Sequence, residues 1–203
     1  MKWLCIALAC AACGGKLPDT RYYQLAAVAP AKTAADASGQ AVIAIEPLTT
    51  DTAYDDERIV YRQTPYRLDY YHYHRWSALP GVMLAGYFEQ ALERSGKFRA
   101  VVRAPATEAA YVLGGRIAAI EEVDAAKTRW IGRIVLELVL TDAKSGQVVW
   151  TKKLAETEPL RVQSPEGLAE ALSAAMARVI ARITPDVVAI ADKPTPVATR
   201  PKK

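Results

Sequence analysis

Gly132, Ile134, Leu136, Leu138 and Leu140 alternate along the chain with the more polar Arg133, Glu137 and Thr141. A period of two places one set on each face of an extended strand, so this segment reads as a half-buried strand. Asp142-Ala143-Lys144-Ser145-Gly146 follows as a hairpin loop, in which Gly146 is free to take a positive φ. The partner strand is Val148–Ala155. A hairpin of this kind makes the sheet antiparallel at least in part.

The other elements are read from the same rules. Arg21-Tyr22-Tyr23-Gln24-Leu25 and Val42–Leu48 are strand candidates, the second ending near Pro47. Residues 27–40 are rich in Ala, Pro, Ser and Gly and read as a loop. Extended pieces are expected near Arg58–Arg62 and Arg67–Arg75. A helix then starts with Ser77 as its cap and Pro80 in its first turn. Leu84, Phe88, Ala91 and Leu92 form its apolar stripe, and Gly96 ends it. Phe98–Val102 and Tyr111–Ile120 are further strands, with Gly114-Gly115 inviting a bend or close packing. Ser164-Pro165 opens a second helix with Leu168, Leu172, Ala175, Val179 and Ile183 on one face, kinked or ended by Pro185. The expected fold class is α/β: one domain with a mixed, partly antiparallel sheet and two principal helices.

A length of 203 residues suits a single domain, and 51% hydrophobic with 24% charged residues fits neither disorder nor a coiled coil. The net charge of +4 is too small an excess to point to nucleic acid. The three cysteines are Cys5, Cys10 and Cys13. Everything after residue 13 lacks a thiol, which excludes a disulfide scaffold, cysteine-ligated zinc and a cysteine nucleophile there.

Those cysteines sit in an address. Lys2 precedes the apolar run Trp3–Ala12, which resembles a short export signal and is too short to span a bilayer. Ala11-Ala12-Cys13-Gly14 resembles a bacterial lipobox, whose cysteine is acylated and becomes the new N-terminus. Cys10, after Ala7-Leu8-Ala9, is a second candidate for that role. The lipobox usually has Leu, Val or Ile where this chain has Cys10. Gly14, in place of an aspartate, resembles an outer-membrane address facing the periplasm. The chain thus divides into a signal peptide at 1–12, a lipid anchor and tether at 13–20, a folded domain at 21–191 and a disordered tail at 192–203.

Residues 50–76 are rich in tyrosine: Tyr54, Tyr61, Tyr66, Tyr70, Tyr71 and Tyr73, with Trp76 at the end. Tyrosine offers apolar area with a polar tip and is favoured on surfaces that a partner buries. Arg58, Arg62, Arg67 and Arg75 add donors for carboxylates or phosphates. Core packing and cross-strand pairing are the alternative use of these rings. Strict alternation would put Tyr70, His72 and His74 on one face and Tyr71, Tyr73 and Arg75 on the other.

Enzyme chemistry finds little purchase. His72 and His74 are the only histidines, and a metal would need a third ligand such as Asp69 or Asp55. Asp51, Asp55, Asp56 and Glu57 read as a solvated loop, and Glu121-Glu122 as a charge pair at a strand end. Gly114-Gly115 lacks phosphate-loop spacing, and the chain has no Walker motif. No catalytic residue, metal or cofactor is expected.

The order of these blocks carries a resemblance. A lipobox-like cysteine is followed by Tyr22-Tyr23-Gln24-Leu25, the apolar strand Ile43–Leu48, and Arg58-Ile59-Val60-Tyr61-Arg62. Then come a tyrosine-rich segment ending in Arg75-Trp76, an amphipathic helix, and Ser95-Gly96-Lys97-Phe98. This resembles the ABC-type transport auxiliary lipoprotein family, which includes paraquat-inducible protein C, over nearly the whole chain after the anchor. The resemblance implies a non-catalytic subunit that works with an ABC permease and ATPase and an MCE-type component on lipids or other hydrophobic compounds. It would act by tethering and docking, with self-association into a homo-oligomer left open. It places Arg62 and Trp76 in recurrent blocks of the family. Together with the tyrosine patch this gives Arg62, Tyr66, Tyr70, Tyr71, Tyr73 and Trp76 as the candidate partner-binding residues and Cys13 as the lipid anchor. A structural lipoprotein of another envelope assembly machine is the alternative.

Overall fold

The long alternating hairpin organises the molecule. In the computed structural model, which describes residues 18–26 and 39–192, β7 (Tyr111–Ala126), β8 (Arg129–Asp142) and β9 (Val148–Pro159) form an antiparallel meander. The other edge of β7 is shared by parallel neighbours. Near its start lies β2 (Val42–Ile45), followed outward by β6 (Ala100–Arg103). Next comes the short β3 (Thr49–Thr50), and near its end β4 (Arg58–Thr64). Beyond β4 are the antiparallel β5 (Arg67–Trp76) and then β1 (Arg21–Tyr23), parallel to β5. The described residues thus form one mixed sheet of nine strands, and the expected fold class holds.

Two helices cover one face. α1 (Pro80–Arg94) packs on β2, β3, β6 and β7, and α2 (Pro165–Ala191) on β8 and β9. They meet where the Tyr87 hydroxyl donates to the Ser173 carbonyl. Ile134, Leu136 and Leu140 from β8 are wholly buried with Leu168, Leu172, Met176, Val179 and Ile183 from α2. Each such side chain contributes roughly 1.5–3 kcal/mol on burial. Ion pairs from Lys152 to Asp186, and from Arg178 and Arg182 to Glu156, flank this contact.

Several local expectations are corrected. The residue before α1 is Leu79, whose carbonyl accepts from Val82 and Met83; the Ser77 amide is used on the Tyr23 carbonyl instead. Ser77 continues the β1–β5 edge and is not the cap. Ser164 does cap α2, its hydroxyl accepting from the Gly167 amide at 3.1 Å. Pro185 does not end α2, which runs on to Ala191. Burial of Val187 beyond it outweighs the one lost backbone hydrogen bond. β7 extends six residues past Ile120, so Glu121 and Glu122 lie inside a strand rather than at its end. Gly115 has φ 142°, and a side-chain carbon there would lie 2.1 Å from the Glu137 carbonyl oxygen, so only glycine lets β8 approach. Gly146 takes its positive φ of 71° in the hairpin loop. Most of the 27–40 loop and residues 193–203 lie outside the described residues.

Candidate partner-docking surface

Glu121 and Glu122 are adjacent in a strand, so they point to opposite faces, and both are fully buried. A buried carboxylate costs several kcal/mol unless it is paired and hydrogen-bonded. The sheet solves this differently on its two sides.

On the face away from the helices, strand register brings three strands together. Glu121 is opposite Arg133 on β8, and Arg62 on β4 is paired with Val123, the next residue on that face. Arg62 Nε donates to Glu121 Oε2 at 3.1 Å, and Arg133 Nε to Oε1 at 2.8 Å, with Arg133 Nη2 on the same oxygen. The Tyr54 hydroxyl donates to Oε2 at 2.7 Å, from a 3-10 turn (Thr52–Tyr54) laid over the sheet. Burial and the Glu121 hydrogen bond both raise the Tyr54 phenol above its ordinary value, keeping it a donor. Burial works against the Arg62 charge, but its bonds to Glu121 and Tyr54 outweigh this and hold the guanidinium protonated. Arg62 Nη1 also donates to the Pro65 carbonyl at 3.0 Å. Two guanidiniums on one carboxylate leave one excess positive charge.

That charge lies at an open cleft of about 490 Å³. Its lining includes Arg62, Val123, Asp124, Ala125, Ile131 and Arg133. The cleft therefore offers apolar wall beside two guanidiniums and one carboxyl, a combination suited to a mixed or acidic partner surface.

On the helix-facing side, Glu122 accepts from the Tyr71 hydroxyl at 2.9 Å. Asp124, two residues on, shares that face and lies beside Glu122. Burial, foremost, pushes the Glu122 carboxyl up to about 7, and also raises Asp124. Glu122 Oε2 and Asp124 Oδ1 are both buried without a hydrogen-bond partner among the described residues, so burial here favours the protonated carboxyl. The Tyr71 ring packs 4.9 Å from Tyr61 and edge-on to His74 at 5.5 Å, and Tyr23 Oη bonds His74 Nδ1 at 2.8 Å. Burial, with nearby Arg21, lowers the His74 pKa.

Tyr71 and His74 touch although strict alternation would separate them. The β4–β5 register shifts between the Arg58–Arg75 and Val60–Tyr70 pairs, and a bulge re-aims the side chains beyond it. The expected division of this segment into two faces is therefore corrected.

The six predicted partner-binding residues divide accordingly. Arg62 lies at the cleft. Tyr70 is half-buried, its hydroxyl on the Ala53 carbonyl at 3.0 Å and its ring 4.4 Å beneath the Arg58 guanidinium. Tyr71 is spent on Glu122. Tyr73 is half-buried beside His72, ring centroids 6.4 Å apart. Tyr66 is 98% exposed at the β4–β5 turn. Trp76, at 1% exposure, is a core residue and offers a partner nothing. The indole fills the space between sheet and helix that a strand-end aromatic on the inner face must fill. Cys13 lies outside the described residues.

Tyr54, Glu121 and Arg133 belong to the cluster; in sequence they read as a patch tyrosine, a strand-end charge and a polar strand position, not as site residues. Val123, apolar just after Glu121-Glu122, was the available sign that the strand continues. His74 is committed to Tyr23. Among the described residues no group of three or more His, Cys, Asp or Glu side chains is placed to hold a metal ion.

Comparison with known proteins agrees with this architecture. Protein XCC0632 from Xanthomonas campestris has a similar fold, with a TM-score of 0.73 at 21% identity over 84% of this chain and 95% of that one. The hypothetical protein CT253 from Chlamydia trachomatis gives 0.53 at 10% identity over 75% and 98%. No curated protein matches the chain. The sequence pattern of the ABC-type transport auxiliary lipoprotein component matches residues 23–184, from β1 into α2, and the chain belongs to that family.

Proposed function

We propose that the protein is a membrane-anchored, non-catalytic subunit of an ABC transport system, acting by tethering and docking. Acylation of Cys13, with Cys10 as the alternative, holds it to the outer membrane facing the periplasm. Its partners are the permease and ATPase and an MCE-type component, and the cargo is a lipid or another hydrophobic compound. ATP hydrolysis belongs to a different subunit.

The observation that carries the docking role is the cleft with Arg62 and Arg133 on its wall. Glu121 fixes both guanidiniums, so they are preorganised and lose little freedom on binding. Arg62, with Tyr70 and Tyr73 on the neighbouring strand, is the proposed contact surface. Family membership supports the association with a transporter.

A photo-crosslinker placed at exposed Gln63, on the cleft rim, tests this in the native envelope. The expected adduct contains a transport subunit, and a crosslinker at Lys144 gives none. Adducts only with proteins of another envelope assembly machine would favour the alternative role. Equal labelling from both positions would refute the cleft as the contact.

A further inference from the structure

One end of the sheet gathers features that the cleft does not use. β4 runs parallel to β7, so the β4–β5 and β7–β8 turns lie at the same end. The first presents Tyr66, 98% exposed. The second presents Lys127, Thr128 and Arg129, all exposed. Neither Lys127 nor Arg129 forms an ion pair with another described residue. The loop into α2 joins them, the Gln163 amide donating to the Lys127 carbonyl at 3.3 Å, and it exposes Val162 (61%). An aromatic with a polar tip, a small apolar side chain and two unpaired cations on turn tips suit a water–bilayer interface carrying anionic lipid.

The path of the chain points the same way. β1 is parallel to β5 and enters it with Arg21 opposite His74. The residues before Arg21 therefore arrive from the side of the β4–β5 turn. Through the Arg58–Arg75 and Tyr61–Glu122 pairs, Arg21 stands near the level of Ile120 on β7. From there the turn end is about six residues away and the opposite end about nine, roughly 20 Å and 30 Å at about 3.3 Å per residue. Eight Cα–Cα steps separate Cys13 from Arg21, a reach of at most about 29 Å when fully extended. An anchor at Cys13 reaches the near end with slack and the far end only at its limit.

We propose that the end bearing Tyr66, Lys127, Arg129 and Val162 rests on the anionic lipid surface to which the chain is tethered. This rests on the anchoring reading above. It leaves the cleft open beside the membrane and turns the Ala143–Gln147 hairpin loop toward the periplasm.

Because residues 14–203 contain no cysteine, single cysteines can be labelled cleanly in the acylated protein. Tyr66→Cys, Thr128→Cys and Lys144→Cys are labelled with an environment-sensitive fluorophore. Each is reconstituted with phosphatidylethanolamine–phosphatidylglycerol vesicles carrying a headgroup quencher. The proposal expects the labels at 66 and 128 to shift to the blue and lose more than half their emission, with the label at 144 unchanged. Lys127→Gln with Arg129→Gln should reduce the quenching at 66, and replacing phosphatidylglycerol by phosphatidylcholine should do the same. Co-flotation with quenching only at 144, or at none of the three, overturns the orientation while the anchor stands. Failure of the wild-type chain to float with vesicles overturns the anchor, and the orientation with it.

Discussion

Replacing Glu122 by glutamine should change how stability depends on pH. Glu122 is wholly buried, with the Tyr71 hydroxyl as its partner and the Asp124 carboxyl beside it. Burial raises its pKa from an ordinary 4.5 to about 7 in the fold. A carboxyl raised in this way holds its proton more tightly folded than unfolded. Its contribution is therefore fully present below about 4.5 and is lost as pH rises through about 7. At roughly 1.4 kcal/mol per pH unit, the full swing is about 3 kcal/mol. Glutamine keeps the shape and a partner for Tyr71 without the ionisation. His74 works in the opposite sense: its pKa is lowered in the fold, so its contribution is lost as pH falls. That term is common to both proteins and cancels in the comparison. Urea unfolding of the full chain, followed by circular dichroism at pH 5, 6, 7 and 8, reads the difference directly. The Glu122→Gln variant should gain about 2–3 kcal/mol on the wild type between pH 5 and pH 8. A difference constant to within about 0.5 kcal/mol across that range would refute a raised Glu122 carboxyl pKa in the fold.

Four other substitutions follow from the contacts described above. Arg133→Ala removes two hydrogen bonds to Glu121 and should cost about 2–4 kcal/mol in urea melts, softened by the remaining Arg62 and Tyr54 bonds. Trp76→Ala empties a buried site and should cost about 3–5 kcal/mol, whereas Tyr66→Ala should change the melting midpoint by less than about 0.5 kcal/mol equivalent. Ser164→Ala removes the cap of α2 and should cost about 1 kcal/mol, measured by the same unfolding curves.

The fold was legible where periodicity was strong. The 132–140 alternation, its hairpin and the apolar stripes of both helices each follow from one local rule. Element ends were less legible, because tertiary contacts set them. Ser77 fails as a cap because Tyr23, 54 residues earlier in the chain, takes its amide. Pro185 fails as a stop because Val187 beyond it is buried. The cluster around Glu121 was hidden for a different reason. It draws Tyr54, Arg62 and Arg133 from separate elements, and only the parallel pairing of β4 with β7 brings Arg62 to Glu121. In the tyrosine-rich segment composition showed that aromatics were concentrated, but the bulge in β5 and the fold of the sheet decided which were buried. Tyr66 and Trp76 look alike in sequence and end at 98% and 1% exposure.

The proposed role is attachment to a transporter through a folded, anchored domain. Purification of the natively expressed, acylated protein from solubilised envelopes, with the co-purifying chains identified by mass spectrometry, tests it most directly. Permease and ATPase subunits are expected in stoichiometric amounts, lost on Arg62→Ala substitution while the variant remains folded and membrane-bound. Recovery of the acylated protein without any transport subunit would contradict that role.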